Sequence, residues 1–189
     1  MRFYDMITAA DARGYEFAEW VENNITYLPE IYMLEQYNQN PEHHPEGYTV
    51  LDHILKAICD YKGKDPIVNV SLLFHDIGKG ITACPSENGP YFRFYGHDKE
   101  GHTYFNNDIV NKYEIPEKEA YIIGYVIRNH MRFHRACEMR TAKCKAIASD
   151  PNFDILAKVC YHDDHCRGEK NFRKAEFIES YKRFKKVLL

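Results

Sequence analysis

The chain has 189 residues and a formal net charge of −3, with 28 Asp and Glu against 25 Lys and Arg. That length suits one well-buried domain and is short for two. Near-neutral balance carries no global signature of a nucleic-acid binder, no apolar run is long enough to span a membrane, and the opening Met1-Arg2-Phe3-Tyr4-Asp5 lacks the apolar core of a signal peptide.

Helical periodicity dominates from the first residues. Phe3, Met6, Ile7 and Ala10 share a face, with Gly14 as the stop; Phe17, Trp20, Val21 and Leu28 suggest a second helix, and Pro29 opens a short one through Tyr37. Residues 38–47 read as a loop rich in Asn, Pro, His and Gly. His53 follows in a run with apolar residues at helical spacing, stopped by Gly63. Asp65-Pro66 makes an N-cap and first-turn pair for the next helix. That helix ends in Leu72-Leu73-Phe74-His75-Asp76-Ile77-Gly78-Lys79-Gly80. An imidazole and a carboxylate side by side at the end of a buried helix are costly unless something compensates them, and together they offer a divalent metal two ligands. Gly78 and Gly80 are expected to break the helix and leave Lys79 exposed on a tight turn.

Residues 81–95 are the longest irregular stretch, with Tyr91–Tyr95 as a short strand or hairpin. His97 stands at a helix start marked by acidic residues in its first turn. Pro116 opens the next helix, on which Ile123, Ile127 and His130 fall on one stripe, so the imidazole points where the apolar side chains point. Asp163 ends a further helical run in phase with Leu156 and Val159 or Cys160, whereas Asp164 is rotated away from that stripe. The last helix, from about Glu169, sets Phe177, Tyr181, Phe184 and Leu188 on one face and Lys and Arg on the others. The expected fold is therefore all-α: a single helical bundle over 1–189, with a motif core at 28–168 and the segments 1–27 and 169–189 packed on it. Within it His53, His75, Asp76, His97, His130 and Asp163, drawn from five helices, would converge on one or two metal sites. The six cysteines form no C-x-x-C pair, so reduced thiols are expected, without a disulfide-linked partner. A cytoplasmic location fits this composition.

The order of these residues, with their flanks, resembles the HD-domain metal-dependent phosphohydrolases, and most closely the HD domain of bacterial tRNA nucleotidyltransferases, the CCA-adding enzymes. Leu28-Pro29-Glu30-Ile31 and His43-His44-Pro45-Glu46-Gly47 resemble the approach to the first metal histidine, Phe74 to Gly80 the signature, and Phe94-Tyr95-Gly96-His97 and Arg128-Asn129-His130-Met131-Arg132 the later ligand segments. The resemblance covers residues 28–168. Nothing in the chain looks like the nucleotidyltransferase domain, the stretch from His44 to His53 is one residue longer than the pattern, and the doubled Asp163-Asp164 shifts the last ligand by one position between them; helical phase favours Asp163.

The resemblance implies a phosphohydrolase acting on a small-molecule phosphoester or an RNA end, such as a 2′,3′-cyclic phosphate. Hard oxygen ligands with imidazoles suit one or two divalent ions of Mn, Fe, Co, Ni, Zn or Mg. With two ions, Asp76 bridges, His53, His75 and Asp163 complete one site, and His97 and His130 the other. Lys79 would stabilise charge developing in the transition state, and Arg132 and Arg167 are further candidates for phosphate contact. A di-iron oxygenase built on a similar ligand set, and a non-catalytic metal-stapled module binding a nucleotide or partner, are the alternatives. His43, His44, His162 and His165 read as ordinary core or surface residues, with His102 and His134 intermediate. His130 and His134 have the H-x-x-x-H spacing of zinc proteases, but Met131 stands where that motif needs Glu.

Overall fold

A computed structural model describes residues 1–188. In chain order the helices are α1 (Phe3–Ala10), α2 (Gly14–Asn23), α3 (Pro29–Tyr32), α4 (Val50–Asp60), α5 (Pro66–Phe74), α6 (Lys79–Thr82), α7 (His97–Tyr104), α8 (Val110–Lys112), α9 (Glu117–His134), α10 (Thr141–Ala148), α11 (Phe153–His165) and α12 (Lys174–Lys186). The one sheet among the described residues is a two-stranded antiparallel ribbon, β1 (Cys84–Pro85) with β2 (Phe92–Arg93), in which Cys84 faces Arg93. The fold is all-α apart from this ribbon.

α5 is the axis of the bundle. The Asp65 carboxylate caps its first turn by accepting from the Ile67 N–H at 3.1 Å, and Pro66 has no N–H to leave unsatisfied there. Every residue from Val68 to Phe74 is buried; a helix apolar on all sides must be surrounded, and α1, α4, α9 and α11 pack around it. α4 is started by a reciprocal capping box, with the Asp52 N–H donating to Thr49 Oγ1 at 3.1 Å and the Thr49 N–H to the Asp52 carboxylate at 2.8 Å. α12 closes the far side through Phe184, whose ring lies 5.4 Å from Phe133 and 5.2 Å from Phe153. No helix among the described residues is long and apolar enough to cross a membrane, and the six cysteines are free thiols.

Several boundaries differ from the sequence reading. Gly14 opens α2 instead of stopping α1, because a Cβ there would sit 1.9 Å from the Ile58 carbonyl oxygen; the glycine lets α2 lie against the end of α4. The second helix ends at Asn23, before Leu28, and the helix expected from Pro29 to Tyr37 is one α turn followed by a 3₁₀ turn at Met33–Gln36. The strand expected at Tyr91–Tyr95 is shorter, Phe92–Arg93. The final helix starts at Lys174, not Glu169. Gly168 adopts a φ of 86° and turns the chain, and the Arg173 N–H donates to the Asp164 carboxylate at 3.1 Å, just ahead of the helix. Leu188, placed on the packed face by its spacing, is 44% exposed.

Glu30 ties α3 to the segment around α8. Its carboxylate accepts from Lys112 and, at 2.7 Å, from the Tyr113 hydroxyl. Burial disfavours its charge, but these donors outweigh burial and hold the carboxyl below its ordinary value of 4.5. A depressed folded-state pKa gives stability that is present above the unfolded value and lost as pH falls through the folded one. Thermal unfolding of a Glu30→Gln variant should therefore lie below that of the parent at pH 7, and the gap should close as pH drops below about 4. A gap that is constant with pH would contradict this assignment.

Candidate metal centre

Five helices deliver the candidate ligands to one buried place. His53 is the fourth residue of α4, His75 and Asp76 come from the turn after α5, His97 is the first residue of α7, His130 comes from α9 and Asp163 from the last turn of α11. All six are buried. One nitrogen each from His53 and His75 and one oxygen from Asp163 lie within 4.8 Å of one another, and so do one oxygen from Asp76 and one nitrogen each from His97 and His130. Asp76 joins the two groups. Its Oδ2 lies 3.3 Å from His75 Nε2 and 3.6 Å from His53 Nε2, and its Oδ1 lies 3.2 Å from His97 Nε2 and 3.6 Å from His130 Nε2.

The tautomers follow from what the other ring nitrogens touch. His75 Nδ1 donates to the Leu72 carbonyl at 2.7 Å, His97 Nδ1 to Phe94 at 2.8 Å and His130 Nδ1 to Ile127 at 2.9 Å, while His53 Nδ1 donates to Glu46 Oε1 at 2.6 Å. In its neutral form an imidazole has one N–H, so each Nε2 would carry a lone pair aimed inward; burial works against charge on His53, but the acidic groups around it outweigh burial and raise its pKa well above the usual value. His97 Nε2 and His130 Nε2 then face each other at 3.1 Å, and His53 Nε2 faces Asp163 Oδ1 at 3.1 Å. Lone pairs at these distances repel unless a proton or a metal cation lies between them. His53 Nε2, His75 Nε2 and Asp76 Oδ1 are buried and have no hydrogen-bond partner, which is costly in a protein interior. A set of inward-facing nitrogen and carboxylate donors, each oriented from behind, fits a divalent metal.

The sequence reading misjudged Lys79. It is not exposed on a turn; it is 6% exposed and opens the short α6. Its ammonium sits 2.7 Å from Asp76 Oδ2 and 2.7 Å from Gln39 Oε1. Gly78 is the reason. A Cβ there would lie 2.0 Å from the His97 carbonyl oxygen, so the glycine serves close packing against α7, and the chain after it turns inward. Burial works against charge on Asp76, and the Lys79 ammonium overcomes it, holding that carboxyl well below the carboxylate range. Asp163 is likewise held down against burial, with His134 Nε2 3.0 Å from its Oδ2.

Asp163 and Asp164 are both buried and point to different partners. Asp164 faces Arg173, with guanidinium contacts of 3.2 and 3.1 Å, and lies 3.5 Å from Arg167. Arg167 is also 3.7 Å from Asp163 Oδ1 and lines the cavity over the site. Arg132 does not line that cavity; its guanidinium donates to Asn129 Oδ1 at 3.2 Å on the neighbouring surface. His162 and His165 share the two oxygens of Asp60 at 2.7 and 2.8 Å, away from the site. His134 belongs to the site through Asp163.

Two contributors escaped the sequence reading. Glu46 supports His53 from behind and takes a second hydrogen bond from His44 Nδ1 at 2.9 Å. Burial opposes its ionisation, but the two imidazoles outweigh it and hold the carboxyl far below its usual range. Burial in turn pushes His44 down to about 3, so that imidazole is neutral. Gln39, in the 38–47 loop, fixes Lys79. The spacing of Glu46 to His53 was visible, but a loop carboxylate has no periodicity to show where it points. The cavity over the centre measures about 700 Å³; the 39–44 loop and the 91–95 segment form its outer wall.

No family model matches the chain, and no solved structure matches it. Curated proteins named multifunctional CCA protein are similar to it. The one from Stenotrophomonas maltophilia strain K279a is 29% identical over 161 residues, which is 79% of this chain and 37% of that protein. The one from Methylococcus capsulatus is 32% identical over 143 residues, 72% of this chain and 30% of that protein. The one from Paracidovorax citrulli is 26% identical over 180 residues, 91% of this chain and 41% of that protein. The chain thus spans about a third of the length of the curated relatives it matches.

Proposed function

We propose that residues 1–189 form one HD-type domain that hydrolyses a phosphoester of a nucleotide or an RNA end, with one or two divalent ions as cofactor. The observation that carries this reading is Asp76, whose two oxygens face separate groups of inward-pointing imidazole lone pairs. His53, His75 and Asp163 would hold one ion, His97 and His130 the other, and Asp76 both. Bound ions of this kind polarise phosphoryl oxygens and bring the pKa of water down to about 7.

The chain's own residues supply the rest. Lys79, fixed by Asp76 and Gln39 at the cavity wall, presents a positive charge where a phosphate would lie, and its restraint means little reorganisation as charge builds. Arg167, also on that wall, adds a second charge. His134, whose Nε2 donates to Asp163 Oδ2 at 3.0 Å, also lines the cavity and is a candidate to hold a proton beside the reacting group. The resemblance to CCA-type HD domains and the similarity to multifunctional CCA proteins both support a nucleotide-like substrate. The test is hydrolysis of phosphomonoesters, phosphodiesters and 2′,3′-cyclic nucleotides by protein loaded in turn with Mn, Co, Ni and Mg. Turnover with at least one metal is expected; none, in protein shown to carry metal, would overturn the reading.

A further inference from the structure

Lys79, Arg93, Arg135, Arg167 and Arg173 line the cavity over the metal centre. Four of these cations are matched within the protein. Lys79 rests on Asp76, Arg135 on Glu138, and Arg167 and Arg173 on Asp164, with further contacts to Asp163 and Glu176. Arg93 is different. Among the described residues no carboxylate lies within ion-pair distance of it, and its Nε is buried without a hydrogen-bond partner. A guanidinium cannot shed its charge, and a buried donor left unpaired is costly. An anion entering the cavity would supply the missing acceptor.

The position of Arg93 is fixed by its neighbours. The rings of Phe92 and Phe94 meet Tyr37 edge-on at 5.3 and 6.5 Å, and the Phe92 N–H donates to the Asn38 carbonyl at 2.9 Å. Alternate residues of extended chain point to opposite sides, so packing both phenylalanines on Tyr37 turns Arg93 the other way. Two residues on, the Tyr95 ring lies 5.9 Å from the guanidinium carbon and attracts it as a cation over a ring face. The same segment reaches the metal centre. The Phe94 carbonyl accepts from His97 Nδ1 at 2.8 Å, and the Phe94 ring lies 5.5 Å from the Lys79 ammonium. Arg93 thus shares the cavity with the metal centre but is tied to none of its carboxylates.

Resting on the phosphohydrolase reading above, we propose that Arg93 determines specificity: the substrate is a small molecule with two phosphates, one reacting at the metal centre and the other held, unreacted, by the Arg93 guanidinium. The planar fork of arginine takes two oxygens of one phosphate at once. Lys79 and Arg167 cannot serve the second phosphate, because both are tied to carboxylates at the reacting end. A cavity of about 700 Å³ is of a size for one such molecule, with both ends enclosed.

The experiment compares, by calorimetry, the binding of adenosine 3′,5′-bisphosphate and of adenosine 3′-monophosphate to the metal-loaded parent and to its Arg93→Gln and Arg93→Lys variants. The parent should bind the bisphosphate at least about tenfold more tightly, the gain expected of hydrogen bonds to a charged group. Arg93→Gln should bring the two affinities to within about twofold, and Arg93→Lys, a point charge without the fork, should fall between. In turnover, adding a 5′-phosphate to adenosine 2′,3′-cyclic phosphate should raise the parent's kcat/KM by at least about tenfold, through KM, and Arg93→Gln should erase that ratio. Metal content and thermal unfolding of each variant separate a lost contact from a damaged fold, and Arg93→Lys keeps the charge should Arg93→Gln not fold. Equal affinity of the parent for the two ligands, or a preference that survives Arg93→Gln, would overturn the proposal. An Arg93-dependent preference in a protein that hydrolyses no phosphoester would keep the anion site and remove the hydrolase reading; turnover of the cyclic monophosphate with no response to a 5′-phosphate would do the reverse.

Discussion

Replacing Asp76 by Asn is expected to strip bound metal from the protein and to cut phosphoester turnover by about 10³-fold or more, because one carboxylate serves both halves of the site. The variant should also lose stability, for a separate reason. Lys79 is buried and its ammonium rests on Asp76 Oδ2 at 2.7 Å. Removing one partner of a buried ion pair leaves the other uncompensated, at a cost of about 3–5 kcal/mol. The Asp76→Ala change is worse, since it also leaves a void. A clean experiment therefore removes both charges. The double change Asp76→Asn with Lys79→Met should recover most of the lost thermal stability while staying without metal and inactive. Metal content, thermal unfolding and turnover of the single and double variants separate the two effects. A double variant that still binds metal and turns over substrate would refute the role given to Asp76.

Glu46 carries the second large effect. It is not one of the six proposed ligands; it acts through His53, whose Nδ1–H it accepts at 2.6 Å. Such a carboxylate behind a metal-binding imidazole fixes the tautomer and the ring angle, and losing it commonly costs about 10–100-fold in metal affinity. Glu46→Ala should weaken one of two binding events seen by calorimetric metal titration, the one served by His53. Binding served by His97 and His130 should change little, since their Nδ1 atoms are held by backbone carbonyls of Phe94 and Ile127. Glu46→Gln, which keeps an acceptor but not the charge, should fall between parent and Ala. Unchanged affinity in both variants would show that His53 needs no such support.

The parts of this site that could be read from the sequence were those carried by helical phase. Ile123, Ile127 and His130 lie on one stripe of α9 and all three are buried. Asp163 and Asp164 are separated by one step of α11, and that step sends one to His53 and His134 and the other to Arg173. The sequence reading also placed the His75-Asp76 pair at the end of a buried helix, and every residue of α5 from Val68 to Phe74 is buried. Contacts made by loops were not legible. Gln39 and Glu46 reach their partners across 40 and 7 residues from irregular backbone, where no repeat predicts direction.

The misreading of Lys79 has the same root. Gly78 and Gly80 looked like an exposed turn because glycine is common there. In the folded chain Gly78 meets Gly101 of α7, with a Cβ at Gly78 falling 2.7 Å from the Gly101 Cα, and Gly80 sits under the Met33 side chain. Both are small because neighbours crowd them, and crowding by a distant helix leaves no local mark in the sequence. The start of α12 was misplaced for a comparable reason: its position depends on Asp164 accepting from the Arg173 N–H, a contact across nine residues.

The most direct test of the central claim is a crystal structure of the protein soaked in Mn or Co, with anomalous scattering collected at the metal edge. Anomalous density should appear at coordinating distance from Asp76, flanked by His53, His75 and Asp163 on one side and by His97 and His130 on the other. A crystal with no anomalous peak there at saturating metal, and with the four imidazoles instead protonated and bound to water or carboxylate, would contradict it.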